Sequence, residues 1–228
     1  MKQRQTRRRN LHRCLCSLLL LPSLATAAAA AKPEAGNPGN YCPAAKIQRI
    51  MAEELTASLD LILESQALSG DKNRLRKIST LQSAGTTLQL AASRGAAARI
   101  TVLMDAILQA KPSEDYQQML SWFPLLKTAM QALPGDDDAV NRANEAIAHA
   151  EAIMDGSETG SSLRRLRQAR HFLACDDLDI PLQKAMTAQG TLLGQLQQRG
   201  PVVSTAYADL LDSLRTTLMY VLVHSNGK

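Results

Sequence analysis

Residues 44–68, AAKIQRIMAEELTASLDLILESQAL, decide the fold. Their apolar side chains, Ile47, Ile50, Met51, Leu55, Leu59, Ile62 and Leu63, recur every three or four positions. That spacing returns successive residues to one face of an α-helix, whereas a half-buried strand would alternate. Ser69-Gly70-Asp71 closes the run.

The same stepping continues along the chain. A second helix is predicted from Lys72 to Arg94 with Leu75, Ile78, Leu81, Leu88 and Leu90 inward, and after Gly95 a third runs through Ile100, Leu103, Met104 and Ile107. Lys111-Pro112-Ser113 reads as a turn with Ser113 as N-cap, and Glu114 and Asp115 suit the helix dipole in the first turn. The next helix carries Met119, Trp122, Leu125, Leu126, Met130 and Leu133, with a kink expected near Leu120 because the Pro124 ring clashes one turn earlier. Pro134-Gly135 breaks the chain, and Asp136–Asp138 open a helix containing Val140, Asn144, Ile147, Ile153 and Met154. Beyond the Gly/Ser turn Asp155–Ser162 come a basic helix from Leu163 to Ala174, an acidic turn at Asp176–Asp179, and helices over Ile180–Gln198 and Val202–His224.

Composition agrees with this reading. Aromatic residues make up only 3% of the chain, while Ala, Leu, Gln and Met, all good helix formers, are plentiful. A β-sandwich would want more alternating Val, Tyr, Phe and Thr. The expected fold is an all-α, antiparallel up-and-down bundle whose long helices are joined by short turns.

The N-terminus sets the expected compartment. Lys2, Arg4, Arg7, Arg8, Arg9 and Arg13 form a basic start, Leu15 and Leu18–Leu21 a short apolar run, and Leu24-Ala25-Thr26-Ala27 a small-residue cleavage site. Residues 1–31 therefore read as a secretory signal peptide, too short in its apolar part to span a bilayer. Thr6–Leu11 partly resembles a twin-arginine signal, but Asn10 stands where Phe is usual, so the general secretory reading is the plainer one. Residues 32–43, with Pro33, Gly36, Pro38, Gly39 and Pro43, make a flexible lead-in. The expectation is a periplasmic protein with no stable membrane anchor.

Cleavage also changes the charge. The formal +5 includes six of the 26 Lys and Arg in the leader, so the mature chain holds 20 against 21 acids. A near-neutral exported protein lacks the field needed to neutralise phosphates, which argues against nucleic-acid binding. Cys14 and Cys16 leave with the leader. The remaining pair, Cys42 and Cys175, is expected to form one disulfide, since an even count in an oxidising compartment favours it and no C-x-x-C spacing suggests redox chemistry.

Two stretches repeat faintly. Lys77-Ile78-Ser79-Thr80-Leu81-Gln82, then Gly85-Thr86, compares with Lys184-Ala185-Met186-Thr187-Ala188-Gln189, then Gly190-Thr191. Gln48-Arg49-Ile50 aligns with Arg164-Arg165-Leu166 at a similar offset. This divides the mature chain into a first repeat-like unit, residues 44–156, and a second, partial one, residues 157–228.

Around these residues the chain resembles the PilJ-type helical domain, the periplasmic N-terminal module of type IV pilus chemotaxis transducers and nitrate-responsive sensor kinases. That family repeats a helix with a signature close to A-G-R-Q-R-M-L-S-Q-R, followed by a Leu-rich helix, a helix with a Trp and a helix with an Asn-Glu pair. Here Ala45–Met51, Trp122, Asn144-Glu145 and Arg164–Arg170 fall in that order. The family's Ala-Gly is Ala45-Lys46 in one copy and Ser161-Ser162 in the other, and its closing Arg is Glu54 in the first copy and Arg170 in the second. The resemblance implies a sensory module in which Arg49 and Arg165 match the anion-binding arginine. It also places Cys42 and Cys175 beside the two signature helices, where antiparallel packing would let them close a long loop worth about 4 kcal/mol at most.

The densest chemistry is on one short helix, where Arg164, Arg167 and His171 share a face and Arg165 and Arg170 lie to its side. Guanidinium forks suit oxyanions, but a solvated face neutralised by Asp176, Asp177 and Glu158 is the plainer reading of the residues. Neither Asp136–Asp138 nor Asp176–Asp179 has calcium-loop spacing, and both fit helix capping. His149, His171 and His224 show no zinc-ligand pair, and the methionines, Met51 to Met219, mostly fit core positions. No nucleophile elbow, P-loop, Gly-rich dinucleotide turn or HExxH occurs. The expected protein is a non-enzymatic exported bundle without cofactor or metal, binding a small ligand, an anion on the family reading, through Arg49, Arg165 and Arg170 in a sensory context. The other reading is an interaction factor for envelope, pilus or secretion assembly, with an envelope protein as partner.

Overall fold

The computed structural model describes residues 41–109, 116–198 and 205–225. The expected signal peptide, most of the lead-in, the expected Ser113 cap and the start expected at Val202 lie outside the described residues. Among those described there is helix and no strand. In order the helices are α1 (Ala45–Ala67), α2 (Arg74–Ala92), α3 (Ala96–Gln109), α4 (Tyr116–Ser121), α5 (Phe123–Met130), α6 (Asp138–Met154), α7 (Ser162–Phe172), α8 (Asp176–Gln197) and α9 (Ala206–Ser225). No described helix is long and apolar enough to cross a membrane.

Two hydrophobic cores form, and each draws helices from both residues 44–156 and residues 157–228. The first joins α1, α2, α8 and α9 through Leu55, Ile62, Leu81, Leu88, Leu192 and Leu214, all with essentially no exposed surface. Each helix packs on two neighbours, α1 on α2 and α9, and α8 on α2 and α9. Side-chain bonds fix the antiparallel register across these seams. The Ser58 hydroxyl donates to the Ala84 carbonyl at 3.1 Å, the Ser65 and Tyr207 hydroxyls share a bond of 2.9 Å, and Gln189 Nε2 donates to the Leu81 carbonyl at 2.7 Å. The second core gathers α3, α5, α6 and α7 around Ile100, Met104, Phe123, Leu126, Ile147 and Leu166. Both belong to one compact unit.

Several local expectations change. Leu75 and Leu90 point outward, 79% and 45% exposed, because the inward stripe of α2 runs through Leu81, Ala84, Leu88 and Ala91. Alanines take places a sequence reading gives to larger residues. The helix through Trp122 is broken rather than kinked: α4 ends at Ser121 and α5 begins at Phe123, with Pro124 in the first turn of the new helix. Proline is well placed there, since its missing N–H would find no partner within the helix. The acidic turn at Asp176–Asp179 is already the first turn of α8, which carries Pro181 inside it. Negative charge beside the positive end of the helix dipole favours this early start.

The capping role expected of the first acidic run is met by Asp137, whose Oδ1 accepts from the Ala139 and Val140 amides at 2.8 and 3.2 Å. At the other end of α8, Arg74 does the reverse job. Its Nε and Nη2 donate to the Leu196 carbonyl at 2.8 and 2.6 Å, and Nη2 also reaches the Gln197 carbonyl at 2.7 Å, satisfying carbonyls that the helix end leaves without partners.

Candidate functional site

Where the two cores meet, the surface opens into a cleft of about 1020 Å³. Ile47 and Met51 of α1 form one side of it, the α2–α3 turn contributes Arg94 and Gly95, and the start of α3 contributes Ala96, Ala97 and Ala98. Small side chains leave space at this junction, and Gly95 adopts φ +91°, a left-handed conformation that lets α2 end and α3 turn away. The floor combines Met51, Leu178 and Leu182 of the first core with Leu133 and Leu173 of the second. Val102 of α3 and Ile180 of α8 also line it and remain 64% and 53% exposed.

The cations on these walls are largely committed. Arg170 Nε donates to Asp105 Oδ1 at 2.6 Å, tying α7 to α3. Arg94 pairs with the Glu54 carboxylate, its Nε lying 2.8 and 3.0 Å from the two oxygens, and this bond is the main cause holding the Arg94 pKa above its ordinary value. Lys184 lines the cleft and is exposed, with no ion pair among the described residues. Asp179 also lines it, and its Oδ2 accepts from the Cys175 amide at 2.8 Å. Although much of the side chain meets solvent, desolvation raises the Asp179 carboxyl above the usual carboxylate value; that amide and Arg170 oppose the rise, and Asp176 adds to it. The Tyr41 phenol, at the entrance of the described chain, is likewise raised, first by burial and then by Asp137.

Cys42 and Cys175 are joined by a disulfide across 133 residues. It pins the segment before α1 to the turn between α7 and α8, helped by the Tyr41 amide donating to the Ala174 carbonyl at 3.2 Å. The Tyr220 hydroxyl of α9 lies 3.3 Å from Cys42 Sγ and 3.4 Å from Cys175 Sγ. Burial, then Asp177 and Asp179, push the Tyr220 pKa up, and its ring stacks on His224 with centroids 4.1 Å apart. Tyr41, Pro43 and Cys175 all line the cleft, so the disulfide holds part of its wall.

The three arginines singled out by sequence are not brought together. Arg49 is exposed on α1 and Arg165 is half-buried on α7, where its Nη1 donates to Gln168 Oε1 at 3.1 Å; neither lines the cleft. Only Arg170 does. Of the acids expected to neutralise the basic helix, Glu158 bonds His149 at 2.8 Å instead, and Arg170 takes Asp105. Sequence reasoning missed the cleft itself, whose signal is the alanine run after Gly95. Among the described residues no cluster of three His, Cys, Asp or Glu side chains could hold a metal.

Fold and site together define a two-core helical bundle with an apolar cleft at the junction of its cores. No family model matches the chain, and no curated protein or solved structure matches it significantly.

Proposed function

We propose that the protein is an exported, periplasmic binding module that takes up a ligand in the cleft between its two cores and passes that state to another protein. One observation carries this reading: a cleft of about 1020 Å³ reaches the upper end of the size range typical of ligand sites, and its largely apolar walls carry a few polar groups, as such sites usually do. The resemblance to PilJ-type modules supports a sensory context. Arg170, at the cleft, takes precedence over Arg49 and Arg165 as the contact for any polar group on the ligand.

The test is native mass spectrometry of protein recovered from the periplasm, before and after delipidation, beside a thermal-shift screen. A retained or stabilising small molecule that is lost in Ala97→Trp, which sets an indole into the cleft, is the expected outcome. If nothing binds, or if binding ignores that substitution, the proposal is wrong.

A second reading, as a non-enzymatic envelope-assembly factor, is favoured by α9. Met219, Leu222 and Val223 lie at i, i+3 and i+4 and are 61%, 42% and 65% exposed, an apolar stripe of the kind that partner helices cover.

A further inference from the structure

The cleft offers little to a small polar ligand. Its two guanidinium groups already face carboxylates, Arg94 that of Glu54 and Arg170 that of Asp105. The buried amide oxygens of Gln48 and Gln195 lack partners among the described residues, yet neither residue lines the cleft. Charges around it nearly cancel: Arg94, Arg170 and Lys184 stand against Asp105, Asp176, Asp179 and Asp209, so no strong field selects a charged head. A nitrate-sized anion would leave most of about 1020 Å³ unfilled. The Thr101 and Thr187 hydroxyls also line it but donate to the Ala98 and Gln183 carbonyls of their own helices, and most of the remaining wall is hydrocarbon, with Ile47 and Met186 part-buried and Val102 and Ile180 standing open to solvent at 64% and 53%.

Resting on the binding reading above, we propose that the ligand is a single-chain amphiphile with a long acyl tail and an uncharged head, the tail lying along the apolar walls and the head remaining at the rim. Apolar contact is non-directional and grows with the area removed from water. Affinity should therefore climb with tail length, by about fourfold for each added methylene, the factor that corresponds to ~0.8 kcal/mol.

Titration calorimetry of the intact mature protein with monoacylglycerols of increasing chain length, below their aggregation concentrations, reads this directly. The expected result is a stepwise rise in affinity of about that factor, reduced about tenfold or more in Val102→Glu and in Ile180→Glu. Both positions are exposed, so neither change threatens the fold, and circular dichroism checks it. A chain-length series with no trend, binding that survives both substitutions, or uptake only from phosphatidylethanolamine vesicles overturns the proposal. Nitrate, acetate and dodecylamine form the comparison arms. If one of these outcompetes the acylglycerol and is lost in Ala97→Trp, the acyl assignment fails while the binding reading stands; if nothing binds at all, both fail.

Discussion

Gly85 and Gly190 occupy equivalent places in the faint repeat, yet their surroundings differ. A Cβ on Gly85 would come within 2.6 Å of Gln189 Nε2, whereas one on Gly190 would meet nothing within 4 Å. Because the Gln189 amide is buried and bonded to the Leu81 carbonyl, it cannot move without giving up that bond. Gly190→Ala should gain roughly 0.5–1 kcal/mol from helix propensity, while Gly85→Ala should lose about 1 kcal/mol as displacement of the amide outweighs that gain. Urea unfolding of the two variants compares them, and equal stabilisation would show that Gln189 is not held as described. Asp179 gives a pH test. Its raised carboxyl keeps a proton in the native state that the unfolded chain has already lost, so stability should fall as pH rises from the ordinary aspartate range through its own pKa. Carbon-detected NMR should find it titrating late, and Asp179→Asn should remove that slope. Residue roles of this kind were legible only where chemistry is local: the aspartate run at the start of α6 announced its cap, but nothing in the sequence of α2 says that Gly85 faces a glutamine.

Helices were legible because their apolar spacing is strong, and most boundaries of α1, α2, α3 and α6 lie within a few residues of expectation. Prolines were read less well. Pro124 and Pro181 carry the same ring, yet the first opens a new helix and the second sits inside one, a difference set by whether the preceding turn has packing and charge to hold it. Helix ends give a further prediction. Asp137→Ala removes the acceptor for two amides at the start of α6 and should cost about 1 kcal/mol. Hydrogen exchange should speed up in the first turn of α6 and not at its end; uniform acceleration along the helix would mean that the cap is not what limits its opening.

At the scale of the molecule, the all-α class was legible and the division into cores was not. Periodicity says that a face is buried but not against which partner, and α1 finds its second neighbour in α9, at the far end of the chain. The cleft was hidden for the same reason, since its walls come from helices and a turn that only the tertiary fold brings together. The even cysteine count did point to the bond between Cys42 and Cys175. Replacing both by serine should lower stability by about 2–4 kcal/mol, seen as an earlier chemical-denaturation midpoint, and should make the amides of the cleft wall around Tyr41 exchange faster. An unchanged midpoint would contradict the structural role given to the bridge. The core order also sets a sequence in time. A chain delivered from its N-terminus can complete the core of α3, α5, α6 and α7 early, while the apolar faces of α1 and α2 that α8 and α9 cover stay open until those helices arrive. The first helices made are thus among the last to be sealed, and through that interval the nascent protein exposes a sticky half-bundle that a holding chaperone would have to shield.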